Sequence, residues 1–81
     1  MNIAIALRNA RRSADMTQQE LAQQMQVSQG FIADLESGRR AFYDRYLERL
    51  PDAVRGPVAA ALVAEHEAIV QRLTSEHLMK E

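Results

Sequence analysis

The side chains of this 81-residue chain that can carry chemistry are two histidines, eleven carboxylates, nine arginines and a cluster of glutamines; cysteine is absent. Catalysis needs a nucleophile beside a base, and no such set can be assembled. His66 and His77 stand eleven positions apart, no glycine-rich phosphate loop is present, and the carboxylates are taken up by helix caps and ion pairs. No enzyme is therefore expected. The same two histidines without a cysteine make no zinc site, so neither a metal nor a cofactor is expected. Recognition chemistry remains. Six of the twelve residues from 18 to 29 are Gln, whose amide donates and accepts at once, and nine of the ten cations are Arg, whose planar fork suits phosphate oxygens.

The formal net charge of -1 argues against nucleic-acid binding driven by bulk charge, but the charges are unevenly placed. Residues 1–50 hold seven Arg against six acids, whereas residues 51–81 hold Arg55, Arg72 and Lys80 against five. The cationic half is the N-terminal half. A hydrophobic content of 47% with no long apolar run describes one small soluble domain without a membrane partner. Met1 to Arg12 has too few apolar residues for a signal peptide or anchor, so a cytoplasmic location is expected. A core of this size rarely supplies more than about 3–5 kcal/mol, and without disulfides the expected supplement is self-association.

Ile3, Leu7, Ala10 and Ala14 form one apolar stripe on a first helix from about Asn2 to Ala14, with Ile5 off the stripe. Asp15 interrupts it. Thr17 with Glu20 makes the capping pair T-x-x-E that starts a second helix, Gln18 to Met25. Ser28 caps a third, which ends near Ser37 with Gly38 as the left-handed residue beyond it. Both helices are shorter than the roughly 12–15 residues at which an isolated helix persists in water. Tertiary contacts through Leu21, Ala22, Val27, Ile32 and Leu35 must hold them. A fourth helix, about Phe42 to Leu50, is expected to turn Tyr43, Tyr46, Leu47 and Leu50 inward and to stop at Pro51. Gly56-Pro57 marks a further break, with Pro57 as the first residue of a last helix that reaches about Leu78. Leu62, Val63, His66, Ile69, Val70, Leu73 and His77 give that helix an apolar face wider than four short helices can cover. Packing leaves one feature unexplained: the third helix opens with Gln29 and Gly30, which add almost nothing to a core.

From Leu7 to Arg40 the stretches "LR..R", "MTQQELAQQM", "VSQGFIADLE" and "SGRR" resemble the Xre/Cro family of helix-turn-helix regulators, which includes the lambdoid phage repressors. The resemblance covers a little under half of the chain. It implies an all-α, five-helix repressor-like bundle in which residues 1–50 are the helix-turn-helix DNA-binding region. Residues 51–81, placed by periodicity alone, are expected to be a C-terminal helical extension of the same compact domain, whose wide apolar face both folds back on the core and serves dimerisation. It further implies that the third helix enters the major groove of double-stranded DNA, with Gln29, Gly30, Ala33 and Asp34 toward base edges. The bare helix start then has a purpose. A Gln amide can donate to adenine N7 while accepting from its N6 amino group, and Gly30 lets the backbone approach the groove wall. Asp34 can accept from cytosine N4 or else pair with Arg39 or Arg45.

Phosphate contacts are expected from Gln18, Gln19, Ser28, Arg39, Arg40 and Tyr43. Arg11 and Glu36 resemble the ion pair that ties the first helix to the end of the third in phage repressors. Two departures stand out. Gln26 occupies a turn position that is Gly in many relatives, where a left-handed backbone costs a residue with a β-carbon on the order of 1 kcal/mol. "AFYDRYLERL" matches the family's fourth helix poorly. The expected function is a dimeric autorepressor on an inverted-repeat operator, the homodimer held through Leu62, Val63, His66, Ile69, Val70 and Leu73. His66 buried in that interface would make the dimer acid-sensitive. The alternative is an antitoxin or antirepressor-type module whose C-terminal segment binds an unidentified protein partner.

Overall fold

The computed structural model describes the backbone of residues 2–80 and the side chains of residues 2–71. Four α-helices and one 3-10 helix follow in order: α1 (Ile3–Ser13), α2 (Gln18–Met25), α3 (Gln29–Ser37), η1 (Asp44–Arg49) and α4 (Asp52–Lys80). There is no strand among the described residues. The all-α, five-helix fold is therefore the one expected.

Each of the first three helices starts where a side chain satisfies an amide that the helix leaves without a partner. Asn2 Oδ1 accepts from the Ala4 N–H at 2.8 Å, and Ser28 Oγ from the Phe31 N–H at 3.1 Å. Thr17 and Glu20 close the reciprocal capping box, each bond 3.0 Å long. The start of α1 is also held from a distance. The Ile3 N–H donates to Glu65 Oε1 at 2.8 Å, which sets a carboxylate from α4 at the positive end of α1. Left-handed residues make the corners: Asp15 at φ 56°, Gln26 at φ 59° and Gly38 at φ 82°. Gln26 adopts the conformation its position demands despite its β-carbon.

The core lies where α1, α2, α3 and the first half of α4 meet. Leu7, Leu21, Met25, Ile32, Leu35, Leu50, Val54 and Val58 are fully buried, with Ile3, Ala14, Met16, Val27, Phe31, Phe42, Tyr46 and Leu47 packed around them. Ile5, off the stripe of α1, is exposed as its register requires.

Two expectations fail. The fourth element is a six-residue 3-10 helix, not an α-helix from Phe42, and Tyr43 is half exposed instead of facing inward. The segment is squeezed between the left-handed Gly38 and Pro51, which forces Leu50 into extended backbone (φ -73°, ψ 141°). Its bonds follow the tighter i to i+3 pattern, seen in Tyr46 N–H to Tyr43 O at 2.9 Å and Leu50 N–H to Leu47 O at 3.1 Å. The last helix, moreover, begins at Asp52 and runs straight through Pro57. Val54, Val58 and Ala61 share the face that closes the core, and burying two valines is worth about 1.5–3 kcal/mol each. That offsets the hydrogen bond that Pro57 cannot make to Ala53, an exposed residue whose carbonyl water can reach. Arg55 braces the corner by donating to the Leu47 and Leu50 carbonyls at 3.0 and 2.6 Å and to Asp52 at 2.8 Å.

Helix α4 has 29 residues, roughly 44 Å at about 1.5 Å per residue, in a molecule 51 Å along its longest axis. From Val63 to Val70 its large apolar side chains lose their cover. Leu62 is half-buried and His66 exposed, while Val63, Ile69 and Val70 are 56%, 55% and 46% exposed. Leu73 and His77 lie outside the described side chains. No described helix is long and apolar enough to cross a membrane.

Candidate nucleic-acid interface

Helices α2 and α3 are joined through the left-handed Gln26, with the Val27 N–H donating to the Ala22 carbonyl at 3.0 Å. This tight corner lets Leu21, Ala22 and Met25 meet Ile32 and Leu35 in the core. With those faces committed, residues 29, 33 and 37 of α3 run along the opposite side. Ser28, Gln29 and Gly30 are exposed, and Ala33 and Asp34 are half-buried beside them. A methyl group added at Gly30 would meet nothing closer than Ser28 Oγ at 3.9 Å. The protein's own packing therefore does not require glycine there, and the open space lies outside the fold.

The flank of this surface is cationic and aromatic. Arg39 and Arg40 are exposed, with the Arg40 N–H donating to the Asp34 carbonyl at 3.2 Å and its guanidinium 4.7 Å above the centre of the Phe31 ring. Stacking of this kind is worth about 0.5–1 kcal/mol at an exposed site and limits the rotamers the arginine must give up on binding. Tyr46 sits among Phe31, Phe42 and Tyr43 in three edge-on contacts at 5.5, 5.5 and 5.6 Å. Asp34 pairs with neither Arg39 nor Arg45 among the described residues. Arg45 instead lies over Tyr43 and Tyr46, at 4.8 and 5.4 Å.

Beneath α3, Arg11 grips Glu36 with two parallel bonds, Nε to Oε2 at 2.7 Å and Nη2 to Oε1 at 2.9 Å. Its third donor reaches the Met16 carbonyl at 2.8 Å, so one side chain ties α1 to α3 and to the loop before α2. The Glu36 hydrogen bond pushes the Arg11 pKa up, more than burial lowers it, and the guanidinium stays charged. Gln18 adds a fourth bond, Nε2 to Glu36 Oε1 at 3.2 Å. The side chain expected to touch phosphate is thus already tied to the ion pair. Gln19 is exposed.

Residues 2–64 match the helix-turn-helix domain family. The chain belongs to that family. Among solved structures, the crystal structure of the clp gene regulator ClgR from Corynebacterium glutamicum is similar, with a TM-score of 0.66 and 28% identity over 98% of this chain and 84% of that one. None of the curated proteins matches.

In this helix-turn-helix domain α2 and α3 are the paired helices. Three further arginines, none of them expected to touch DNA from sequence, lie around them. Arg45 could have been suspected from its place between Tyr43 and Tyr46. Arg8 and Arg12, four apart on the side of α1 away from its stripe, border a cleft against α3 with Gln18, Ala33 and Ser37. Nothing local to α1 shows that α3 lies opposite.

Proposed function

We propose that this helix-turn-helix chain is a dimeric repressor of its own operon that binds an inverted-repeat operator with α3 in the major groove. DNA-binding transcription regulation rests on the family and on the likeness to a gene regulator. The carrying observation is the first turn of α3, where Gln29 and Gly30 stand clear of the protein's interior. Gln29 reads an adenine edge, Gly30 admits the groove wall, and Ala33 and Asp34 lie one turn further along. Gln19, Ser28, Arg39, Arg40, Tyr43 and the amides at Gln18 hold phosphates, with Arg40 already steadied on Phe31. Residues 1–50 read DNA and residues 51–81 join two subunits, working in the cytoplasm. The exposed Val63 and Ile69 support that join, since two such domains must sit about 34 Å apart on one face of the duplex. Occlusion of the promoter needs nothing beyond the bound dimer.

The test is binding to the DNA upstream of the chain's own gene, with half-site centres about 10–11 base pairs apart. Gln29→Ala should weaken that site by about 1–3 kcal/mol and leave unrelated DNA and the melting temperature unchanged. Arg40→Ala should weaken all sequences alike. A silent Gln29→Ala would remove the readout assignment. The same exposed face of α4 also fits an antitoxin-like module with a protein partner. A dimer neutralising about six phosphates shows log affinity falling against log salt with a slope near -5, whereas the protein-binding module shows none.

A further inference from the structure

Arg8 and Arg12 are both exposed, and neither has an ion-pair or hydrogen-bond partner among the described residues. They border a cleft of about 230 Å³ whose other walls are Arg11, Gln18, Ala33, Glu36 and Ser37. Glu36 cancels Arg11 through the two-bond pair, so the cleft keeps two unbalanced positive charges. Like charges four apart on a helix repel and work against it. Arg12 falls in the last turn of α1, where the negative end of the helix dipole favours a cation, but Arg8 lies a turn too early for that. Neither an ion pair nor the helix dipole therefore accounts for Arg8.

The cleft has a direction. Its α3 wall is Ala33 and Ser37, which continue at four-residue steps the face that begins at Gln29. A duplex seated on that face brings one sugar-phosphate wall of its major groove over the opening. We propose that Arg8 and Arg12 form a phosphate clamp there, holding the DNA backbone on the side of α3 opposite Arg39 and Arg40. The clamp rests on the DNA-binding reading. Its bonds are charge-assisted and indifferent to sequence, so it sets the register in which Gln29 meets a base.

The probe is an arbitrary duplex of about 30 base pairs, titrated by fluorescence anisotropy across roughly 50–200 mM salt. Each neutralised phosphate contributes about 0.9 to the slope of log affinity against log salt, so the Arg8→Gln/Arg12→Gln double variant should flatten it by about 1.8 per bound subunit. Affinity near 0.1 M salt should fall roughly 10- to 100-fold. Arg8→Lys/Arg12→Lys keeps the charges and should keep most of the slope. A wild-type chain that ignores the duplex sinks the DNA-binding reading itself. A wild-type chain that binds, beside a glutamine variant with an unchanged slope, overturns the clamp alone, and a lowered melting temperature in that variant would assign the pair to helix stability.

Discussion

The start of α3 and the stretch of α4 from Val63 to Ile69 both present uncovered surface, in opposite chemistries. Ser28, Gln29 and Gly30 are content in water, so α3 stays open without penalty until a polar partner arrives. Val63 and Ile69 are not: each square ångström of apolar surface left wet forgoes about 25 cal/mol. A face of the first kind suits a partner that comes and goes. A face of the second kind calls for a standing one, which is the physical ground for proposing DNA at α3 and a second subunit at α4. The two also differ in what lies beneath them. Under α3 the Arg11–Glu36 pair locks α1, α3 and the loop before α2, whereas α4 beyond Glu65 projects past the core.

The sharpest break in this comparison is Glu36→Ala, which strands a buried guanidinium and should cost about 3–5 kcal/mol in a denaturant titration. Replacing both partners, Arg11→Met with Glu36→Leu, should recover most of that loss. Next, Val63→Asp with Ile69→Asp should weaken the dimer at least tenfold by sedimentation, since each residue contributes on the order of 1.5 kcal/mol or more when buried. The fold of the separated subunit should survive. A wild-type chain that sediments as a monomer at high concentration would erase the contrast between the two surfaces.

Smaller effects test the corner that presents α3. Gln26→Gly relieves a left-handed residue of about 1 kcal/mol of strain but frees the unfolded chain, so a net gain of about 0.5 kcal/mol is expected. Smallest is the acid response of the capping box. Hydrogen bonds from the Thr17 N–H and then the Thr17 side chain hold the Glu20 carboxyl below its ordinary pKa of 4.5. Because the folded value is the depressed one, its contribution is present above about pH 4.5 and fades as the pH falls through the folded value. The melting temperatures of the wild-type chain and Glu20→Gln should differ at pH 7 and draw together as the pH falls below 4.5.

The sequence alone determined the features that close within one turn of chain. Thr17 finds Glu20 three residues on, Ser28 finds the Phe31 amide, and Gly38 ends α3, all because a capping bond depends only on near neighbours and backbone angles. Only tertiary structure decided the rest. Glu65 reaches Ile3 across 62 positions, Pro57 stays inside α4 because Val54 and Val58 on either side of the break are needed in one core, and Arg8 faces α3 across a cleft. Burial and charge act between whatever meets in space. A local rule that puts a helix start at proline yields wherever the apolar area gained exceeds the hydrogen bond lost.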